Sequence, residues 1–238
     1  MTSITELVRD MKDVRPAPAK VALVAVVASA LYAFFQIADE VGESEFGWLD
    51  KAVLLAFRNP SNVNDPLGPE WVEETIMEIS SLGGYPILFT LIAVVVGYLL
   101  VVRRYGPALY VLLSVGLGTA VSQLLKSLYD RPRPDLVDHL VTTHTASFPS
   151  GHATMSTVVY LTLAALIIRL VNHRGVRLYV LAVAILISVA VGLSRIYLGV
   201  HWPSDVAAGW SLGAAWASLS WLVVSLLRRV RRGEGGLR

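Results

Sequence analysis

The chain has 238 residues, of which 55% are hydrophobic and only 16% charged, with a mean hydropathy of +0.60. Soluble domains carry about 25% charged residues, so this chain cannot build a fully solvated surface and lipid must cover much of it. Its net charge of +2 and its aromatic residues set in apolar runs give no sign of a nucleic-acid partner, and with no cysteine it has no disulfide, thiolate nucleophile or Cys-type zinc site.

Crossing a bilayer core takes roughly 20 apolar residues as helix, and six stretches approach that length. The leader, residues 1–20, carries Arg9, Lys12, Arg15 and Lys20. Span one is Val21–Ala38. Ala28-Ser29-Ala30 resembles a signal-peptide cleavage site, but the apolar run continues through Phe34, Phe35 and Ile37, and the leader holds acidic residues. The stretch therefore reads as a span. An acid-rich connection, Asp39–Gly84, follows, and two of its pieces, Trp48–Phe57 and Trp71–Ile79, look amphipathic. Val72, Ile76 and Ile79 recur at helical spacing, with Glu73, Glu74 and Glu78 on other faces. These short helices read either as a collar in the membrane interface or as segments packed over helix ends. Span two is Tyr85–Val102, span three Pro107–Leu125, span four Ala153–Val171, span five Val176–Leu193 and span six Val206–Leu227. Gly209 and Gly213 on span six suit close helix packing. Residues 229–238 form a basic tail.

The expectation is an all-α fold: a bundle of six transmembrane helices over residues 21–228, with short interfacial helices between spans one and two. Positive charge favours the cytoplasmic side of a membrane. Most of the 20 basic residues fall on one face: the leader's four, Arg103 and Arg104, then Arg169, Arg174 and Arg177, then Arg228, Arg229, Arg231, Arg232 and Arg238. Both termini are expected in the cytoplasm, residues 1–20 and 229–238 as cytoplasmic segments.

Three motifs outside the apolar runs carry the chemistry. Lys126 is followed after six residues by Arg133-Pro134. Pro149-Ser150-Gly151-His152 comes next, then Ser194-Arg195, five residues, His201, three residues and Asp205. Helix parity puts all of them on the extracytoplasmic side. Lys126, Arg133 and Arg195 suit the oxygens of a phosphate, although each alone would read as a basic residue snorkelling at a helix end. Ser150 fits the N-cap of span four, and Gly151 lets a ligand approach a helix start whose amides bind anions. A serine nucleophile at Ser150 lacks the strand–nucleophile–helix context that such an elbow needs. Pro203 fits the first position of span six. His201 then sits at a solvent-facing helix start, and Asp205, at the third position, can reach back and fix its tautomer. The His-x3-Asp pair also has metal-ligand character, but three cations at the same place oppose a metal ion. His139, His144 and His173 match no useful spacing, and Asp130, Asp135 and Asp138 read as surface charges.

In order and internal spacing these motifs resemble the complete signature of the type 2 phosphatidic acid phosphatase superfamily, and the six-span layout agrees. The resemblance implies a metal- and cofactor-independent, two-step hydrolysis of a phosphorylated membrane lipid, a polyprenyl diphosphate or a phosphatidate-type lipid, in a bacterial inner membrane. It implies that His201 attacks phosphorus, Asp205 orients His201, and His152 protonates the leaving group. Lys126, Arg133, Ser150, Gly151 and Arg195 would hold the phosphoryl oxygens. Two alternatives use the same residues: transfer of the phosphoryl group to a second lipid, and a non-catalytic protein that binds or flips lipid phosphates. The vanadium haloperoxidases also share these residues, but they are soluble proteins.

Overall fold

The computed structural model describes residues 18–43, 47–143 and 145–234. Arg9, Lys12, Arg15, His144 and Arg238 lie outside them. The elements run α1 (Pro18–Glu43), α2 (Gly47–Leu55), β1 (Arg58–Asn59), β2 (Asn62–Pro66), α3 (Glu70–Ser81), α4 (Tyr85–Val101), α5 (Tyr105–Tyr129), α6 (Gly151–Leu170), α7 (Arg174–Tyr197) and α8 (Pro203–Glu234).

The all-α bundle forms. Helices α1, α5, α6, α7 and α8 are each long and apolar enough to cross a membrane. The expected second span, Tyr85–Val102, matches α4 to within one residue. Helix α4 has only 17 residues and reaches spanning length only together with α3, from which it bends by 44°. Counting the bent pair as one span brings the candidate spans among the described residues from five to six. The break falls at Gly83-Gly84, ahead of Pro86 in the first turn of α4, where a helix readily kinks. A Cβ at Gly83 would collide with Val191 of α7, so the kink lies tight against that helix.

The motif-bearing helices extend a few residues past the apolar runs, because the polar motif residues at their ends are themselves helical. Both short helices between spans one and two are present as α2 and α3. The sequence reading did not anticipate the β1–β2 hairpin between them. Its turn is held by Asn side chains, Asn59 Oδ1 accepting from Ser61 N at 3.1 Å and Asn62 Oδ1 from Asn64 N at 3.2 Å. Such side-chain turns need no apolar alternation.

Helix α6 is the most deeply buried span, packed against α7 and α8, while α1 lies along α8. The α6–α8 contact depends on glycine. A Cβ at Gly213 would sit 2.6 Å from Thr157 Cβ, and one at Gly209 would sit 2.9 Å from the Ser150 carbonyl oxygen. Polar ties fix the register: Trp216 Nε1 donates to Ser114 O at 2.7 Å, Trp210 Nε1 donates to Ser188 O at 2.9 Å, and Ser114 bonds Thr162 at 3.0 Å. Hydrogen bonds between membrane helices contribute about 0.6–2 kcal/mol each.

Candidate active site

Four helix ends meet at one end of the bundle. The last turn of α5 brings Lys126 and the last turn of α7 brings Arg195. The N-terminus of α6 brings Ser150, Gly151 and His152, and the first turn of α8 brings Asp205. Two connections close the site: residues 130–149 supply Arg133, and residues 198–202 supply His201. All eight residues singled out in the sequence therefore come together.

Ser150 caps α6, its hydroxyl oxygen accepting from Ala153 N at 3.5 Å, while its own amide donates to Asp205 O at 3.0 Å. The next amides, of Gly151 and His152, have no acceptor within the helix. Gly151 faces the cations: a Cβ there would lie 3.4 Å from Lys126 Cε and 3.5 Å from the Tyr85 hydroxyl. Lys126 Nζ donates to Ala146 O at 2.6 Å. Arg133 donates from Nε to Thr145 O at 2.8 Å and from Nη1 to Val200 O at 2.6 Å. Arg195 Nη1 donates to Ser80 Oγ at 2.8 Å.

Asp205 lies at the third position of α8 and reaches back to the amide of Trp202, its Oδ2 accepting at 2.9 Å, which is half of a capping box. The same oxygen accepts from Ser147 Oγ and lies 3.4 Å from His201 Nδ1. With an acceptor opposite Nδ1, the imidazole carries its proton there. The Nε2 lone pair then points to the cations, with Arg133 Nη1 at 3.3 Å.

One expectation is overturned. His201 is not at a solvent-facing helix start but is only 2% exposed. An apolar cluster of Tyr197, Leu198 and Val200, packed by Val72 and Ile76 of α3 and by Leu140 and Val141, covers the loop that carries it. This cluster also places the apolar face of α3 over a helix end. Burial pushes the His201 pKa down to about 3; Asp205 raises it, and the Arg133 and Arg195 charges lower it further. The imidazole is therefore neutral at physiological pH, with an unprotonated Nε2 beside Arg133. Burial also lowers the pKa of Arg133, with Asp205 opposing, but a guanidinium keeps its proton.

The charge balance is uneven. Lys126 and Arg195 are 6% and 5% exposed, and among the described residues neither they nor Arg133 forms a salt bridge with a carboxylate. A buried charge without a partner costs several kcal/mol. An anion with several oxygens, bound between them, would remove that cost.

The sequence reading missed several contributors. Arg131 is not one of the named motif positions, yet its Nη1 donates to Asp205 Oδ1 at 2.5 Å and its Nη2 to Asp50 Oδ2 at 2.9 Å. Asp50, on α2, is 2% exposed. It signals itself weakly, as a carboxylate one turn before buried Leu54 on the inner face of an amphipathic helix. Ser147, Ser80 and Tyr85 carry no local signal. Of the remaining histidines, His173 caps α7 by accepting from Val176 N at 3.4 Å, and His139 Nε2 lies 2.7 Å from Pro134 O.

Comparison with known proteins supplies the context. The profile of the PAP2 superfamily matches residues 107–229, which include all three motifs. Phosphatidylglycerophosphatase B of Bacillus subtilis is 35% identical over 147 residues, 60% of this chain and 70% of the relative. Decaprenylphosphoryl-5-phosphoribose phosphatase of Mycobacterium tuberculosis is 40% identical over 98 residues, 40% of this chain and 49% of the relative. The crystal structure of a transmembrane PAP2 type phosphatidylglycerolphosphate phosphatase from Bacillus subtilis superposes with a TM-score of 0.70 at 29% identity, covering 82% of this chain and 93% of that one. The chain is thus an integral membrane protein and belongs to the PAP2 superfamily of membrane lipid phosphatases.

Proposed function

We propose that the protein hydrolyses the phosphomonoester or diphosphate of a membrane lipid through a phosphohistidine at His201, without a metal ion. The observation that carries this reading is the His201 ring, with Nδ1 against Asp205 at 3.4 Å and Nε2 turned to Arg133 at 3.3 Å. A binding protein needs cations but not an oriented, neutral imidazole among them.

In the first step Nε2 attacks phosphorus, the P–O bond to the leaving group breaks, and His152, which takes up a proton when the negative phosphate joins it in the site, gives that proton to the departing oxygen. In the second step His152 takes a proton from water. The resulting oxygen attacks phosphorus, the P–N bond breaks and inorganic phosphate departs. Lys126, Arg133, Arg195 and the amides of Gly151 and His152 hold the phosphoryl oxygens, where fixed donors stabilise the charge that develops in the transition state. The Ser150 O–H remains able to donate, since the cap uses its oxygen only as an acceptor. Asp205 balances the positive charge that His201 gains.

The substrate is a lipid that keeps its chains in the bilayer and presents its phosphate at the helix ends. Both a polyprenyl diphosphate and a phosphatidate-type lipid meet that description. Arg103, Arg104, Arg169, Arg174 and Arg177 lie at the opposite helix ends, which supports a cytoplasmic location for that end and for residues 1–20 and 229–238, with the site on the outer face.

The test is phosphate release from pure undecaprenyl diphosphate, phosphatidylglycerophosphate and phosphatidate in detergent, with and without EDTA and vanadate. Turnover unaffected by EDTA and competitively inhibited by vanadate is expected. Loss of activity in EDTA, restored by zinc or magnesium, would overturn the metal-independent reading.

A further inference from the structure

We infer that Asp50 and Arg131 are positioning residues for the nucleophile, extending the His201–Asp205 pair into a four-member chain of alternating charge. The inference rests on the phosphohistidine reading of His201. It adds Asp50, outside the three motifs, and Arg131, one of the unspecified residues between Lys126 and Arg133; neither touches the phosphate cradle.

The two residues hold the His201–Asp205 segment at several points. Arg131 Nη1 donates to Asp205 Oδ1 at 2.5 Å and to Ser204 Oγ at 2.8 Å. Its guanidinium carbon lies 5.7 Å from the centre of the Trp202 ring, beside His201. Asp50 Oδ1 accepts from Ser204 N at 2.9 Å, and Asp50 Oδ2 accepts from Ser204 Oγ at 2.6 Å and from Arg131 Nη2 at 2.9 Å. Asp50 thus satisfies a first-turn amide of α8 while holding the other end of the guanidinium. The loop helix α2, read from sequence as a possible collar, anchors the segment that carries the nucleophile.

These ion pairs are not surface decoration. Asp50 and Asp205 side chains are 2% and 0% exposed, and Arg131 is 16% exposed, so solvent screens them little. Charge explains the use of two acids. Were Arg131 paired with Asp205 alone, it would cancel the carboxylate that faces His201. Sharing the guanidinium with Asp50 leaves the chain with one net negative charge. Phosphorylation at Nε2 puts one positive charge on the imidazole ring, so the four members sum to zero at the intermediate.

The test compares Asp50→Asn and Arg131→Ala with wild type in the same detergent. Asn keeps the acceptor for Ser204 N, while its NH₂ replaces the charged oxygen that accepts from Ser204 Oγ and Arg131 Nη2. Supporting partners of this kind change rates by about 10–100-fold when lost, and that fall is expected in kcat for both variants, with KM and vanadate affinity unchanged. A cavity of about 390 Å³, lined by Asp50, Tyr129, Arg131 and Trp202 among others, opens beside the guanidinium. Millimolar guanidinium should therefore restore kcat to Arg131→Ala and leave Asp50→Asn unaffected. Wild-type kcat in Asp50→Asn overturns the inference. So does loss of vanadate affinity in both variants, which would make the network a brace for the whole site, or a failure of guanidinium to raise kcat. Phosphoenzyme trapping separates this from the underlying reading. If wild type shows no phosphate on His201, the phosphohistidine reading fails. If wild type is labelled and Asp50→Asn is labelled equally fast, only the role of Asp50 and Arg131 fails.

Discussion

Replacing Asp205 by asparagine changes one atom at the centre of the site. The native carboxylate faces four donors. Arg131 Nη1 lies 2.5 Å from Oδ1. Trp202 N at 2.9 Å, Ser147 Oγ and His201 Nδ1 at 3.4 Å share Oδ2. An asparagine offers one acceptor oxygen and one NH₂. With the oxygen toward Trp202, the NH₂ confronts the Arg131 guanidinium. In the opposite orientation it confronts the Trp202 amide and His201 Nδ1. The first orientation loses fewer bonds, and it forfeits a charge-assisted hydrogen bond of about 1.5–3 kcal/mol. It also removes the negative charge opposite His201. The equivalent change in a Ser-His-Asp triad lowers kcat about 10⁴-fold. Here the 3.4 Å separation exceeds the roughly 2.7–3.2 Å of a well-formed bond, so the carboxylate acts more through charge than through contact. We therefore expect a smaller fall, about 10³-fold, or about 4 kcal/mol. Steady-state phosphate release from a long-chain lipid in detergent gives kcat and KM, and vanadate affinity checks that the cradle persists. An Asn variant within about tenfold of wild-type kcat, or one impaired only in KM, would refute the reasoning.

His152→Ala should slow a lipid alkoxide leaving group by about 10²–10⁴-fold while sparing p-nitrophenolate; equal losses with both substrates would remove the general-acid role. Gly213→Ala should lower the melting temperature in detergent, since the new Cβ would sit 2.6 Å from Thr157 Cβ and overpacking costs about 1–3 kcal/mol. Gly116→Ala on α5, with nothing within 4 Å of its Cβ, should not lower it; equal melting temperatures would contradict the packing. The unfolded chain protonates His201 near 6.5, whereas burial holds the folded group at about 3. The neutral state therefore contributes stability fully above pH 6.5, and that contribution is lost as pH falls from there toward 3. Melting temperature should drop across that window, less steeply in His201→Gln; identical slopes would show that His201 does not drive the loss.

The spans and the eight candidate residues that converge at one end of the bundle were readable because each has a local signature. Twenty apolar residues need no partner to declare themselves, and Lys126, Arg133, Ser150, Gly151, His152, Arg195, His201 and Asp205 interrupt the runs at fixed spacings. Helix order then brings them to one end of the bundle. Span two was readable to within a residue, but its apolar run reveals neither the bend from α3 nor the pinning of Gly83 against Val191. The hairpin from Arg58 to Pro66 went unread because Asn turn chemistry, not alternation, builds it. Asp50 and Arg131 were illegible for another reason: their roles exist only where α2 and the residues after α5 meet the start of α8, a pairing that spacing cannot encode. His201 read as exposed because the loop that carries it is packed, at Leu198 and Val200, by residues far away in sequence such as Val72 and Ile76.

The central claim is a covalent bond between His201 and phosphorus, and rapid quench tests it directly. Enzyme mixed with lipid labelled in the departing phosphoryl group, stopped within one turnover in alkaline denaturant and mapped by peptide, should carry acid-labile label on the peptide containing His201. The label should appear and decay at rates compatible with turnover, and be missing from His201→Ala. Label on another residue such as Ser150, or full turnover with no labelled protein at any time, would contradict the account.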